Sequence, residues 1–425
     1  MSAVLRALAV SLALVAVSAS AAAGQQGYMA PIATTVAAPP GWSMTPSLGV
    51  SQTYDDNVTL QGPANNPVGD LISLLSPGAS LNYNGPRSQL TARYDGSFLF
   101  YRSSSALDSY AQGGSLGVRR RLSSRTSFFI NGSVYAAPTT ELLQLTAVPY
   151  LRVGSRAEDV AAGVESAISK RLSIVASVHA QGVHFDDNTV FTDSLLGGSS
   201  VGATLVLRER LTEKMTLTGD YDSLRADIGQ QHDIFVIQNA MVGVERLLTR
   251  TMRISGAVGV ARLDAPTVGP TNAPTVGSTN APAVGQTNAL TFGPSKAGAS
   301  YRFALSRNLG RSAVELLLSQ SYVPSWTFSG TTQNDEVTLR LRVPLARRLY
   351  TQSLVSWRND KAFVENTPGL KSLWIQATVG YTARPWARIE GFYLSTQQSF
   401  VTNDALLHHN QIGFQVIAAK PVRLR

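Results

Sequence analysis

Residues able to do acid–base or nucleophilic chemistry are few and scattered along the chain. The five histidines are His179, His184, His232, His408 and His409. His179 and His184 have opposite parity within one predicted strand, and His408 and His409 are adjacent, so neither pair faces a single site. No Gly-x-Ser-x-Gly sequence lies at a predicted strand-to-helix turn, where a nucleophile elbow would be, and no metal-spaced histidine pair or phosphate-binding loop occurs. The sequence therefore predicts a protein that is not an enzyme, with no catalytic residue, cofactor or metal site.

An Asp-Asp-Asn motif occurs twice, each time after an aromatic residue at the end of a predicted strand. Clustered carboxylate and amide oxygens are ligands for Ca²⁺ or a sugar. Asp and Asn side chains also bond to their own backbone and start turns. With three oxygen-bearing side chains and no calcium-loop spacing, the turn interpretation is favoured. The residues are Asp55, Asp56, Asn57, Asp186, Asp187 and Asn188.

A third set of charged residues alternates with apolar residues along the predicted strands. If the apolar positions face lipid, these charges face the inside of a closed wall, where they tune ion selectivity. Together with a net charge of +9, they would favour small anionic solutes or an acidic polysaccharide. The alternative is that the arginines pair with acids and rigidify the wall. The set is Arg93, Asp95, Arg119, Arg121, Arg208, Asp220, Arg340 and Arg342.

The elements that carry these charges are strands, because the apolar residues recur with a period of two. Val337, Leu339 and Leu341 alternate with Thr338 and Arg340, and similar runs of about ten residues fill the chain. Such alternation fits both a soluble sandwich and a barrel. Connection length favours the barrel, since short turns recur about every 37 to 47 residues with a longer connection between them.

This hairpin repeat predicts an all-β fold: a transmembrane antiparallel β-barrel of about 18 strands, about 16 being the alternative, with short periplasmic turns and long exterior loops. An open sheet would leave unpaired backbone groups in hydrocarbon, so the last strand is expected to pair with the first. The expected partners are residues 48–54 and 411–417. The predicted strands are 44–54, 71–83, 88–101, 110–121, 126–136, 158–168, 172–184, 198–209, 214–225, 233–246, 251–262, 297–307, 311–322, 334–343, 349–358, 372–382, 388–397 and 407–418.

The start of the chain predicts export. Arg6, a short apolar run and Ala21-Ala22-Ala23 have the pattern of a cleaved signal peptide over residues 1–23. The chain has no cysteine, which excludes a disulfide or a thiolate metal site, and no apolar stretch of about 18 residues follows. A charged fraction of 15% is low for a soluble protein and suits a wall with one face in lipid.

The predicted organisation follows from these patterns. The signal peptide (1–23) precedes a polar periplasmic lead (24–42), the barrel covers 43–419, and a tail covers 420–425. Within the barrel, residues 265–295 hold a tandem octapeptide, beginning APTVGPTN and APTVGSTN, whose Pro and Gly content predicts an exterior loop.

The first strands also carry a family resemblance. Residues 45–50 are followed by Tyr54-Asp55-Asp56-Asn57-Val58, and Asp70-Leu71-Ile72 by Leu75-Ser76-Pro77-Gly78. This arrangement resembles the outer-membrane β-barrels associated with the PEP-CTERM and exosortase system, of the putative β-barrel porin type. The resemblance implies a Gram-negative outer-membrane protein linked with exopolysaccharide production or surface sorting. The chain departs from a common barrel ending, because its last aromatic residue is Phe414 and residues 421–425 follow the final strand.

We therefore expect an outer-membrane barrel that passes or handles exopolysaccharide at the cell surface. A general diffusion porin with mild anion preference is the first alternative, and a structural surface barrel is the second. The expected partners are outer-membrane lipid, the barrel-assembly machinery, and polysaccharide or small anionic solutes. Nucleic acid is not expected, because the basic residues are spread over turns without a recognition motif.

Overall fold

The structure is a computed structural model that describes residues 40–62, 66–186, 195–229, 233–264, 295–310, 312–327, 330–363, 369–400 and 406–424. The predicted signal peptide, nearly all of the predicted polar lead and residues 265–294 of the octapeptide segment lie outside these residues. The strands are β1 (Gly41–Asp55), β2 (Asp70–Asn84), β3 (Ser88–Tyr101), β4 (Ser109–Arg121), β5 (Thr126–Ala137), β6 (Ser155–Ala167), β7 (Leu172–Phe185), β8 (Gly198–Thr212), β9 (Met215–Ile228), β10 (Asp233–Leu247), β11 (Met252–Asp264), β12 (Lys296–Leu309), β13 (Ser312–Pro324), β14 (Thr331–Pro344), β15 (Leu349–Ala362), β16 (Leu370–Arg384), β17 (Ala387–Phe400), β18 (Leu406–Ala419) and β19 (Val422–Leu424).

Eighteen antiparallel strands form one closed cylinder. Each strand from β1 to β17 pairs with the next, and β18 returns to pair with β1. Tyr54 lies opposite Ile412 and Leu48 opposite Ala418, so the predicted closure is confirmed. This closure pairs both edges of the sheet, which leaves no open ladder to face lipid. The region where β18 meets β1 is called the seam below.

The strands are longer than the periodicity predicts. β1 and β2 each have 15 residues, against the 9 to 11 that a tilted strand needs to cross the hydrocarbon. Their ends continue the ladder with polar side chains, which weakens the apolar alternation but leaves backbone pairing intact. The first strand of the barrel begins at Gly41, two residues before the predicted start at residue 43. The predicted tail is also partly strand, because β19 pairs with Trp42, Ser43 and Met44 of β1.

The wall has an apolar outer face, and its inner face is mostly small or polar except where buried apolar side chains such as Val183, Phe235 and Leu263 pack around the loop between β5 and β6. On the outer face Val258, Val242 and Ile412 are 71%, 62% and 59% exposed. Most of their neighbours of opposite parity are small or polar, as the alternation predicts, and Met241 is a buried apolar exception. A surface that is apolar all the way round is stable only in a lipid environment. Among the described residues, no helix has the length and apolar character needed to cross a membrane.

The connection between β5 and β6 folds into the cylinder. This inward loop (residues 138–154) contains one helical turn, α1 (Thr140–Leu143). Leu143, Val148 and Tyr150 are 3%, 1% and 5% exposed, so the loop packs against the wall. The apolar composition of this segment explains its position, because burying it removes several large side chains from water. The sequence predicts long exterior loops at this end of the barrel, but this loop lies inside the cylinder.

Candidate functional site: the inward loop and the lumen wall

The tip of the inward loop (residues 147–150) is held by neutral hydrogen bonds and one carboxylate on the far wall. The Ala147 amide donates to Oδ2 of Asp360 on β15 at 3.2 Å, and the Tyr150 amide donates to Oε1 of Gln398 on β17 at 2.7 Å. Nε2 of Gln398 donates back to the Val148 carbonyl at 3.3 Å. The wall residues therefore bind backbone groups of the tip, across more than 200 positions of sequence.

Tyr150 itself is buried beside the wall. Its ring meets the Trp374 ring of β16 edge-on, with centroids 6.4 Å apart. Burial raises the pKa of Tyr150 above its ordinary value, so its phenol stays neutral. The tip thus adds no charge of its own to the lumen.

The α1 limb of the loop is held by a buried ionic triad of Asp55, His409 and Glu141. Nε2 of His409 lies 2.8 Å from Oδ2 of Asp55, and Nδ1 lies 2.8 Å from Oε1 of Glu141. Because both ring nitrogens face carboxylates, both donate and the ring is an imidazolium. His409 is 2% exposed, Asp55 3% and Glu141 5%. The triad joins α1 to β1 and β18, which are the two strands of the seam.

The returning limb is fixed by Arg152. Its Nη1 donates to the Val58 carbonyl at 3.0 Å and to the Tyr101 hydroxyl at 3.2 Å, and its Nη2 donates to the Leu107 carbonyl at 2.7 Å. The guanidinium also lies over the Tyr101 ring, 4.9 Å from its centroid. All three parts of the loop are therefore attached to the wall.

The first Asp-Asp-Asn motif fastens the seam. Asp56 accepts hydrogen bonds from the backbone amide and from Nδ2 of Asn410, both at 2.7 Å. The Asn57 amide donates to Oδ1 of Asp55 at 2.8 Å, and Nδ2 of Asn57 donates to the His408 carbonyl at 2.9 Å. These side chains thus form a turn and a clasp between β1 and β18.

The second motif is described only at its first residue. The Asp186 amide donates to the Gly154 carbonyl at 2.8 Å, where the inward loop rejoins β6. Asp187 and Asn188 lie outside the described residues. Within the described ranges, no group of three His, Asp or Glu side chains has the arrangement of a metal site.

The eight charged residues predicted to line the lumen all lie on the inner face, because their parity is that of the wall positions that contact the inward loop. Several are paired there. Arg93 donates to Asp95 at 3.0 Å, Arg119 pairs with Glu165, and Arg340 lies 3.4 Å from Glu315. Further inner-face ion pairs are Arg253–Glu245, Arg358–Glu336 and Arg388–Glu390.

The charges of the remaining predicted residues are less fully neutralised by nearby side chains of opposite charge. Arg208 acts electrostatically on Asp220, as does Arg302. Within the part of the chain that the structure describes, neither Arg121 nor Arg342 forms an ion pair. Of the eight predicted residues, Arg121 and Arg342 are therefore the arginines whose charge has no acidic partner among the described residues.

A cavity of about 160 Å³ lies between α1 and the inner faces of β1 to β5 and β18. Leu142 and Leu143 of α1 cover one side of this wall cavity. Arg93, Asp95 and Tyr135 line it from the wall.

Sequence reasoning missed the inward loop and its anchors Asp360, Gln398 and His409. The available signal was composition, since residues 138–154 carry a dense set of large apolar side chains that a water-exposed loop would not present. Nothing local indicates which wall residues receive the loop.

A closed cylinder of 18 antiparallel strands with an apolar exterior and a polar interior is the architecture of an outer-membrane β-barrel, and this chain is one by its own geometry. No protein-family model matches the chain, and no curated protein matches it.

Solved structures with a similar chain fold include OpdK from Pseudomonas aeruginosa, with a TM-score of 0.43 and 11% identity over 90% of this chain and 99% of that one. OpdO from the same organism has a TM-score of 0.46 and 11% identity over 91% and 98%. OccAB4 from Acinetobacter baumannii has a TM-score of 0.45 and 9% identity over 90% and 98%. At this divergence, no property of these proteins is carried over to this chain.

Proposed function

We propose that the chain is a diffusion channel of the outer membrane for small hydrophilic solutes. The observation that carries this proposal is the inward loop, fastened across a cylinder whose inner face is polar. A barrel of 16 to 18 strands is wide enough to hold an aqueous channel, and a loop folded inside narrows it. The loop sets the size of the solutes, and the wall sets their charge preference.

The proposed charge preference is a mild one for anions. Six arginines of the inner face are neutralised by acids across or along the wall. Arg121 and Arg342 add positive charge without an ion pair in the described structure, which lowers the entry barrier for anions slightly. We expect a permeability ratio of Cl⁻ to K⁺ of about two to three rather than strict selectivity.

Single-channel recording in planar bilayers tests the proposal. We expect steady conductance from the refolded protein and a small reversal potential of anionic sign in a salt gradient. The chain has no cysteine, so single cysteines give a clean assay of the lumen. A cationic thiol reagent should reduce the conductance of Ser97→Cys, whose side chain faces inward, and leave that of Phe98→Cys, whose side chain faces lipid, unchanged. A folded barrel without conductance, or equal effects on both variants, would contradict the proposal.

Passage of exopolysaccharide is the second proposal. It is supported by the resemblance around residues 45–58 and 70–78 and by a row of inner-face serine hydroxyls that includes Ser47, Ser76 and Ser97. A polymer would have to displace the inward loop. A variant with residues 140–150 replaced by a short Gly-Ser linker separates the two proposals. Polymer entry that requires this replacement supports the diffusion channel, and polymer entry into the unmodified barrel supports polysaccharide passage.

A further inference from the structure

We infer that the wall cavity binds one neutral, hydroxyl-bearing six-membered ring, such as a monosaccharide or a cyclic polyol. This inference rests on the proposed channel function and names the class of solute that the channel retains in transit. The size of the cavity is the first observation. At about 160 Å³ it is slightly larger than the roughly 150 Å³ cavity that holds a benzene ring in an engineered protein core, which sets the scale of one ring and not of a longer oligomer.

The distribution of polarity is the second observation. The lining includes apolar side chains, with Leu142 and Leu143 from α1 and Leu99 from the wall. It also includes serine hydroxyls from β1, β2, β3 and β4. A saccharide ring has the same two kinds of surface, because its C–H groups form an apolar face and its hydroxyls project around the edge.

An unpartnered hydroxyl points to a missing ligand. Ser51 lines the cavity and is 2% exposed, yet its Oγ has no hydrogen-bond partner. Buried hydroxyls are nearly always satisfied, because leaving one unpaired is costly. A hydroxyl of a bound ring would provide the partner that the protein does not.

The charge in the cavity is balanced, which argues for a neutral solute. Arg93 and Asp95 both line the cavity and pair with each other, with Nη2 of Arg93 donating at 3.0 Å. An anion would have to compete with Asp95, and a cation with Arg93. A polyol accepts from the guanidinium and donates to the carboxylate without disturbing either charge.

An aromatic ring completes the lining. Tyr135 of β5 lies across Gly113 of β4, and a Cβ at Gly113 would overlap the Tyr135 ring. The glycine therefore allows the ring to lie flat against the wall beside the cavity. An aromatic face in this position packs against the C–H face of a saccharide.

Current block of single channels by d-glucose and myo-inositol tests the inference, with d-glucuronate and d-glucosamine as the charged counterparts. We expect the neutral rings to block at millimolar concentration and the charged rings to bind at least fivefold more weakly. Gly113→Ala should weaken glucose block about fivefold, roughly the loss of one contact of hydrogen-bond strength. Gly114→Ala is the matched control, because its added methyl group on the opposite face makes only ordinary contacts.

Ser51→Ala provides a second variant that removes no contact within the protein, and it too should weaken block about fivefold. Saturation-transfer NMR on the protein in detergent measures glucose binding without conduction. Conductance without glucose binding would overturn the inference about the cavity and leave the channel proposal standing. Binding without conductance would overturn the channel proposal and support the cavity as a site. Preference for glucuronate over glucose, or equal block of Gly113→Ala and Gly114→Ala, would overturn the inference.

Discussion

The α1 limb and the tip of the inward loop are attached by different chemistry. The α1 limb depends on charge, since His409 lies between the carboxylates of Asp55 and Glu141. The tip depends on wall side chains that bind backbone amides and carbonyls, as Gln398 does. A charged anchor is strong when intact and costly when half removed, because an unpaired buried charge remains. Hydrogen bonds to backbone groups tolerate changes in the loop sequence and are lost in small steps.

The largest effect is expected from His409→Ala. Removing the imidazolium leaves two buried carboxylates facing each other and should destabilise the docked α1 limb by about 3 to 5 kcal/mol. Open-channel current noise and proteolysis within residues 138–154 should both increase, while the heat-modifiable gel shift of the barrel persists. His408→Ala is the control, since its side chain faces away from the lumen. Identical noise in the two variants would show that the triad does not hold the loop.

A smaller effect is expected from Gln398→Ala at the tip. The variant loses two hydrogen bonds to backbone groups, which should cost about 1 to 3 kcal/mol. The increase in noise should therefore lie between wild type and His409→Ala. Gln397→Ala, on the lipid face of the same strand, is the matched control. If Gln398→Ala proved more disruptive than His409→Ala, the proposed order of the two anchors would be reversed.

The smallest effect is expected from Arg152→Lys on the returning limb. Lysine retains the positive charge but not the fork that reaches three acceptors at once, so about 0.5 to 1.5 kcal/mol should be lost. Loop proteolysis should rise slightly and conductance should hardly change. Arg156→Lys, whose side chain is largely exposed, provides the comparison. A loss as large as that of His409→Ala would mean that the returning limb is the principal attachment.

The strands were predictable because their signal is local. Val337, Leu339 and Leu341 alternate with polar neighbours whatever the rest of the chain does, and the closure of β18 on β1 follows from the cost of an open edge in lipid. Strand ends were less predictable, since the ladder of Trp42–Met44 with Val422–Leu424 alternates apolar and polar residues over only three positions, which is too short a run to indicate a strand.

The site was predictable only where it depends on parity. Arg93 and Asp95 could be placed on one face of a strand, but their pairing with each other depends on side-chain conformation. The triad joins positions 55, 141 and 409, which no local pattern connects. The sequence correctly separates His408 from His409 by parity, yet the partners that give His409 its role lie on other elements.

The location of the triad also has a consequence for the timing of assembly. The residue that secures α1 belongs to the last of the eighteen strands, 268 positions after Glu141. During synthesis and insertion, the loop between β5 and β6 is complete long before its ionic partner arrives. The same strand supplies Asn410, which clasps Asp56 across the seam. The cylinder therefore closes and the inward loop becomes anchored in the same step. A barrel that stalls before its final strand would have both an unpaired sheet edge and an unanchored loop.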